Sequence, residues 1–195
     1  VKNENGKLIG YNTDGSGFIK SLELENIGVK GKTILVLGAG GAANAISTSL
    51  AMRGAKKIII SNRTLSKAKK LANKISKQFP EVITEFDYLK LGNISKKTIN
   101  MIINCTSVGM YPDMSTTPIT LNGFSNKVIV YDIIYNPQKT MLLELAEKRG
   151  YYTINGLSML INQALYSQQI WAEEKDQNYI DNFKEIKRIL ETYVE

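Results

Sequence analysis

Thr33-Ile34-Leu35-Val36-Leu37-Gly38-Ala39-Gly40-Gly41-Ala42-Ala43 carries an aliphatic run straight into a glycine turn, and the architecture follows from it. Its first five residues form an uncharged, mostly aliphatic run, the pattern of a strand buried on both faces of a parallel sheet. Glycines then interrupt the run, after which Ala43, Ile46 and Leu50 recur at helical spacing until Gly54 stops the helix. Strand, glycine turn and helix in this order make a Rossmann-type phosphate-binding turn. Gly38 permits the tight turn, Gly40 lets backbone approach a pyrophosphate, and small Ala43 allows close helix–strand packing. The free amides and the positive end of the helix face the phosphates. A tight turn that binds nothing is the competing reading, and a second strand at the proper interval weighs against it.

Beyond this segment, residues 58–60 read as the second strand. Thr64 stands as N-cap of a helix with inner positions Leu65, Ala68, Leu71 or Ala72, Ile75 and Phe79, ended by Pro80. Strands follow at 82–86, 101–105, 128–131 and 151–154, with a polar connection through Ser95, Lys96 and Lys97. A loop holding Gly109, Pro112 and Pro118 is long enough to be functional. A helix is predicted over 138–148, ended by Gly150, and a long one begins at Gly156. The expected fold is α/β, a doubly wound, mainly parallel six-stranded sheet with helices on both faces, over residues 31–172. Residues 1–30 read as a hairpin-like linking segment and a helix carrying Phe18, Ile19 and Leu22. Residues 173–195 read as a charged linker and a helix with Phe183, Ile186, Leu190 and Tyr193 on one face. Both flanks are expected to pack toward a second domain.

The 195 residues are 43% hydrophobic and 22% charged, an ordinary balance for a globular chain. No apolar run approaches the ~20 residues that span a bilayer. A single cysteine excludes an internal disulfide framework and suits a reducing cytoplasm. The net charge of +7 comes from scattered lysines without an aromatic-rich basic face, which argues against nucleic acid. There is no histidine, so a histidine metal site is excluded and acid–base chemistry falls to Lys, Asp, Glu, Tyr or Cys.

The second strand runs into Ser61-Asn62-Arg63-Thr64, where an NAD site would place a carboxylate for the ribose hydroxyls. Arg63 stands there instead, with Lys67 one helical turn on. Two cations suit a 2′-phosphate, and a helix start is where a surface cation is otherwise disfavoured. NADP is therefore preferred over NAD. At the carboxyl edge of the sheet, Thr106 and Ser107 can supply hydroxyls and amides to ribose or nicotinamide. Cys105 reads as a small core residue, since nothing nearby stabilises a thiolate. Tyr135 is placed to donate to a substrate carboxylate, though a half-buried structural tyrosine fits the spacing as well. Gly156, Met159 and Gln163 share a helix face that suits the floor of a wet cleft or a solvent-facing stripe, while Leu157, Leu160, Ile161, Ala164 and Leu165 form the core stripe. Asp14 reads first as the N-cap of its helix, a position that leaves one oxygen for other work.

These blocks resemble, in order and over nearly the whole chain, the shikimate dehydrogenase family. The resemblance rests on Asn12-Thr13-Asp14, Gly38 to Ala42, Asn62-Arg63-Thr64, Asn104 to Ser107 with Gly109-Met110, Tyr131-Asp132 through Tyr135, and Asn155-Gly156-Leu157 with Met159-Leu160 and Gln163-Ala164. It implies reduction of 3-dehydroshikimate to shikimate with NADPH, in aromatic amino-acid biosynthesis. It implies that Asp14 matches the aspartate of a catalytic Lys–Asp pair and touches a substrate hydroxyl. It further implies that Tyr135 and Gln163 bind substrate, and that Gly38, Ala39, Gly40, Gly41, Ala42, Asn62, Arg63, Thr64, Lys67, Ile133 and Gly156 lie at cofactor positions. The family's N-terminal substrate domain, which carries the lysine, has no counterpart in these residues and is the expected partner; a homodimer is left open. Ser158 stands where the family has glycine. The alternatives are a quinate/shikimate paralogue using NAD and a noncatalytic dinucleotide-sensing module, against which Asp14, Tyr135 and Gln163 argue.

Overall fold

Apolar strands too short and too buried to stand alone need helices on both faces, and that requirement organises the chain. The computed structural model describes residues 1–88, 91, 94–173 and 178–193. β1 (Lys2–Glu4) and β2 (Lys7–Ile9) form a hairpin turned at Asn5 and Gly6, whose φ values of 53° and 85° are those a two-residue turn of type I′ needs. The remaining elements are α1 (Asp14–Leu24), β3 (Thr33–Leu37), α2 (Gly41–Met52), β4 (Lys57–Ser61), α3 (Leu65–Gln78), β5 (Ile83–Asp87), β6 (Met101–Asn104), β7 (Ile129–Asp132), α4 (Met141–Glu147), β8 (Tyr152–Ile154), α5 (Leu157–Ala172) and α6 (Tyr179–Leu190).

Among the described residues, six strands pair in the order β5-β4-β3-β6-β7-β8, and every pairing is parallel. The doubly wound sheet is thus parallel throughout rather than mainly so. The chain walks from β3 to one edge and then restarts beside β3 with β6. The crevice for a ligand therefore lies beyond the carboxyl ends of β3 and β6. Period-two alternation divides the core: Ile34, Val36, Ile58 and Ile60 face Ala43, Ile46 and Ile75 of α2 and α3, and Leu35, Leu37, Ile59 and Ile102 face Leu142 and Ala146 of α4. No helix among the described residues is long and apolar enough to cross a membrane.

Packing extends some expectations and corrects others. Both flanking helices pack on the body that the sheet builds. α1 fits between α2 and α5 because its glycines leave room. A Cβ on Gly15 would stand 2.1 Å from Ser49 Oγ, and one on Gly17 would stand 2.7 Å from the Gln163 nitrogen. Phe18, fully buried, meets the Tyr131 ring edge-on at 5.0 Å, and the Tyr131 hydroxyl lies 2.7 Å from Ser21 Oγ. α6 lays Phe183 against Leu157, Ile161 and Leu165 of α5, while Tyr193 is exposed. Leu65, expected on the inner stripe of α3, and Ala164, expected on that of α5, are exposed. α4 begins at Met141 rather than at 138, because Thr140 caps it: its side chain accepts the Leu143 amide.

Candidate functional site

The glycine turn is built as its residues require. Gly38 has φ 109°, and a Cβ there would stand 2.9 Å from the Cys105 carbonyl oxygen, so both conformation and space demand glycine. Its amide donates to the Ser61 carbonyl at 2.7 Å, which ties the turn to the end of β4. Gly40 is the N-cap of α2; no side chain caps that helix, and no acidic residue sits in its first turn. Nothing lies within 4 Å of where a Cβ of Gly40 or Gly41 would stand. Ala39 and Ala42 flank this opening, both half-buried. The first-turn amides of α2 therefore face open space at the crevice, a cradle that fits a phosphate.

At the end of β4 the Asn62 side chain donates to the Thr64 carbonyl at 3.0 Å and shapes the step into α3. Thr64 occupies the N-cap position but makes no side-chain cap bond. Arg63, Thr64 and Lys67 are exposed, and neither cation forms an ion pair among the described residues. This pair of uncompensated cations beside the cradle is the feature most suited to a second anionic group.

A cleft of about 480 Å³ opens beyond β6 and β7, lined by Thr106, Ser107, Met110, Tyr111, Ile133 and Tyr135 among others. It brings together Thr106, Ser107, Ile133 and Tyr135, all singled out from the sequence. Gly156 backs it: its amide donates to the Ile134 carbonyl at 2.9 Å. Met159 and Gln163 follow along α5, Gln163 about 10 Å from Gly156 at ~1.5 Å per residue. Their face is not a wet floor. Met159 is buried in the sheet core, and Gln163 lies half-buried against α1, where the Thr13 hydroxyl is 3.4 Å from its Oε1 and 3.0 Å from Ser167 Oγ. Ser158 turns away, into a separate polar cleft beside β8 and α6.

Asp14 does not cap α1. Thr13 holds the N-cap position, and the Asn12 side chain accepts the Asp14 amide at 3.0 Å. The Asp14 carboxylate has no hydrogen bond among the described residues and stays available at the helix start, beside Thr13, whose hydroxyl reaches Gln163 in the middle of α5.

A buried polar network beneath the cleft has no place in the sequence reading. Asp132, fully buried, accepts from Asn104 Nδ2 at 3.0 Å, the Ile134 amide at 3.1 Å and the Thr140 hydroxyl at 2.8 Å. Burial pushes its carboxyl up to about 6, and these three donors restrain the shift. Its signal in the chain is a polar residue closing each of two apolar strands, Asn104 and Asp132. The Thr106 hydroxyl is consumed internally, donating to Asn104 Oδ1 at 2.7 Å, which leaves exposed Ser107 as the free hydroxyl of that loop. Burial pushes the Cys105 thiol well up, in keeping with a core residue rather than a nucleophile. Among the described residues no cluster could hold a metal ion.

Comparison with known proteins agrees with this geometry. A family model described as shikimate / quinate 5-dehydrogenase matches residues 21–111. The chain is 46% identical over 175 residues to a shikimate dehydrogenase (NADP(+)) of Caldanaerobacter subterraneus subsp. tengcongensis, covering 89% of this chain and 61% of that protein. Shikimate 5-dehydrogenase of Listeria monocytogenes, solved with shikimate and NAD, superposes with a TM-score of 0.85 at 33% identity, covering 94% of this chain and 65% of the other. A shikimate dehydrogenase solved with NADP+ gives 0.84 at 39% identity, covering 95% and 64%. The chain thus spans about three fifths of the length of the relatives it matches.

Proposed function

We propose that this chain, which belongs to the shikimate dehydrogenase family, is the NADP-binding part of an enzyme that reduces 3-dehydroshikimate to shikimate. The observation that carries this reading is the pair of unpaired cations, Arg63 and Lys67, beside the uncapped start of α2. The amides around Gly38 to Ala42 hold the pyrophosphate, and Asn62, Arg63, Thr64 and Lys67 hold the adenosine ribose and its 2′-phosphate. Thr106, Ser107 and Ile133, backed by Gly156 and the buried Met159, form the wall along which the nicotinamide half lies. When bound, NADPH supplies the hydride. Tyr135 and Gln163 orient the substrate, and Asp14 contacts its hydroxyl and aligns a lysine from the family's substrate domain, which moves the proton. Residues 31–172 are the cofactor domain in this reading, and the setting is the cytoplasm, where one reduced cysteine is at home.

Both walls of the substrate cleft are required for rate, because positioning the two reactants supplies most of it. These 195 residues alone should therefore bind NADPH yet turn over almost no dehydroshikimate. Titration of NADPH fluorescence against the chain tests the reading, with NADH as control. Binding of NADPH in preference to NADH is expected. Absence of any binding, or a preference for NADH, would overturn it.

A further inference from the structure

We propose that Asp132 is a positioning residue that sets both walls of the dinucleotide cleft through one directed chain of hydrogen bonds. The proposal rests on the cofactor reading above. A carboxylate only accepts. Asp132 Oδ1 therefore turns the Asn104 side chain so that Nδ2 faces it at 3.0 Å and Asn104 Oδ1 points away. That oxygen accepts both the Thr106 amide, at 3.0 Å, and the Thr106 hydroxyl, at 2.7 Å. With its proton committed, the Thr106 hydroxyl accepts the Val108 amide at 3.2 Å. On the opposite wall the same Asp132 Oδ1 takes the Ile134 amide, and Oδ2 takes the Thr140 hydroxyl that caps α4. Asp132, Asn104 and Thr140 are all fully buried, so water does not compete for the bonds among these three.

The direction of every bond follows from the acceptor-only end. An alkyl side chain in place of Asp132, such as leucine of similar size, takes the acceptor from Asn104, the Ile134 amide and the Thr140 hydroxyl together, whereas an amide could keep its oxygen toward Asn104 and Ile134 and donate to the Thr140 hydroxyl. Leucine therefore loosens both walls that line the cleft, at Thr106 and Ser107 on one side and at Ile133 to Tyr135 on the other. A carboxylate that merely satisfied its own burial would have no reach to Val108, at the far end of the chain of bonds.

Amide exchange in the ligand-free chain, followed by NADPH titration, tests the relay. D132L, which removes both acceptor oxygens, should speed exchange at Val108 and Ile134 tenfold or more and weaken NADPH binding about tenfold. The exchanged pair N104D/D132N should keep Val108 protected, since the carboxylate then at position 104 still accepts from Thr106. In the same variant Ile134 should lose protection, because the new side-chain amide at position 132 donates where an acceptor stood. T106V should release Val108 alone and leave Ile134 protected. Wild-type protection of both amides in folded D132L would overturn the proposal. If D132L does not fold, T106V decides: NADPH affinity equal to wild type, or an unchanged Val108, would overturn it. Failure of the wild-type chain to bind NADPH would strike the cofactor reading, whereas the exchange pattern judges the relay without ligand.

Discussion

Gly156 and Ile133 approach so closely that a Cβ on the glycine would stand 1.9 Å from the isoleucine carbonyl oxygen. The constraint is space rather than conformation, since Gly156 has φ −76°. The contact seats the start of α5 against the exit of β7, so Gly156→Ala must displace one or the other. Overpacking costs about 1–3 kcal/mol, and a clash with backbone belongs at the upper end. Urea unfolding of the variant should show a loss of about 2 kcal/mol or more, with weaker NADPH binding. Unchanged stability and affinity would mean that the apposition has slack.

Gly40 offers the opposite case. Its extended backbone, φ −88° and ψ −164°, suits any residue, and nothing occupies the space where a side chain would go. Gly40→Ser places a strong N-cap on α2, so the fold should be unchanged or stabilised by a few tenths of a kcal/mol, about the difference between serine and glycine caps. The same hydroxyl takes up an amide meant for phosphate and fills its cradle. Calorimetry should then show an equal or higher melting temperature together with loss of NADPH binding. Retained binding would remove the phosphate role from this turn.

Arg63→Asp should separate the two cofactors. The side chain is exposed and makes no ion pair among the described residues, so stability should stay within about 0.5 kcal/mol. Hydrogen bonds from a charged donor contribute about 1.5–3 kcal/mol, which is about tenfold to hundredfold in affinity. NADPH should weaken by that factor while NADH, without the 2′-phosphate, changes little or improves. Lys67→Ala should act in the same direction more weakly. Equal losses for both cofactors would assign Arg63 to general steering of anions.

The sheet is legible in the sequence because β3, β4 and β6 carry uninterrupted apolar runs, and a strand buried on both faces has no other composition. The turn is legible because glycine has a conformational reason at position 38. The role of α1 is not. Gly15 and Gly17 look like poor helix residues, and only the crossing against Ser49 and Gln163 reveals why they are needed. The general preference at helix starts points to Asp14 as a cap, but Asn12, two residues earlier, reaches the Asp14 amide first. The start of α4 is misread for a related reason: Thr140 resembles an interior helix residue until Asp132 fixes its hydroxyl. Hydrogen bonds between residues distant in sequence, such as Asn104 with Asp132, leave no periodic trace in the chain.

Asp132 should give the unfolding free energy a distinctive pH dependence. Its carboxyl rises from an ordinary 3.8 to about 6 on folding, with burial as the cause. Between those values the folded chain binds more protons than the unfolded one, so this group's contribution to stability falls as pH rises from 4 to 6. Above 6 the penalty is complete, and a separation of about two pH units corresponds to about 3 kcal/mol. Its titratable neighbours, buried Tyr131 and half-buried Cys105, are pushed upward and stay neutral throughout this window. Glu147 runs the other way, held low by Lys139, but it is exposed and its ion pair is screened. The difference in unfolding free energy between wild type and D132N, measured by urea at pH 4.5, 5.5 and 7, isolates the term. It should shift against the wild type as pH rises. A difference that is flat with pH would mean that the three donors hold Asp132 at its ordinary value.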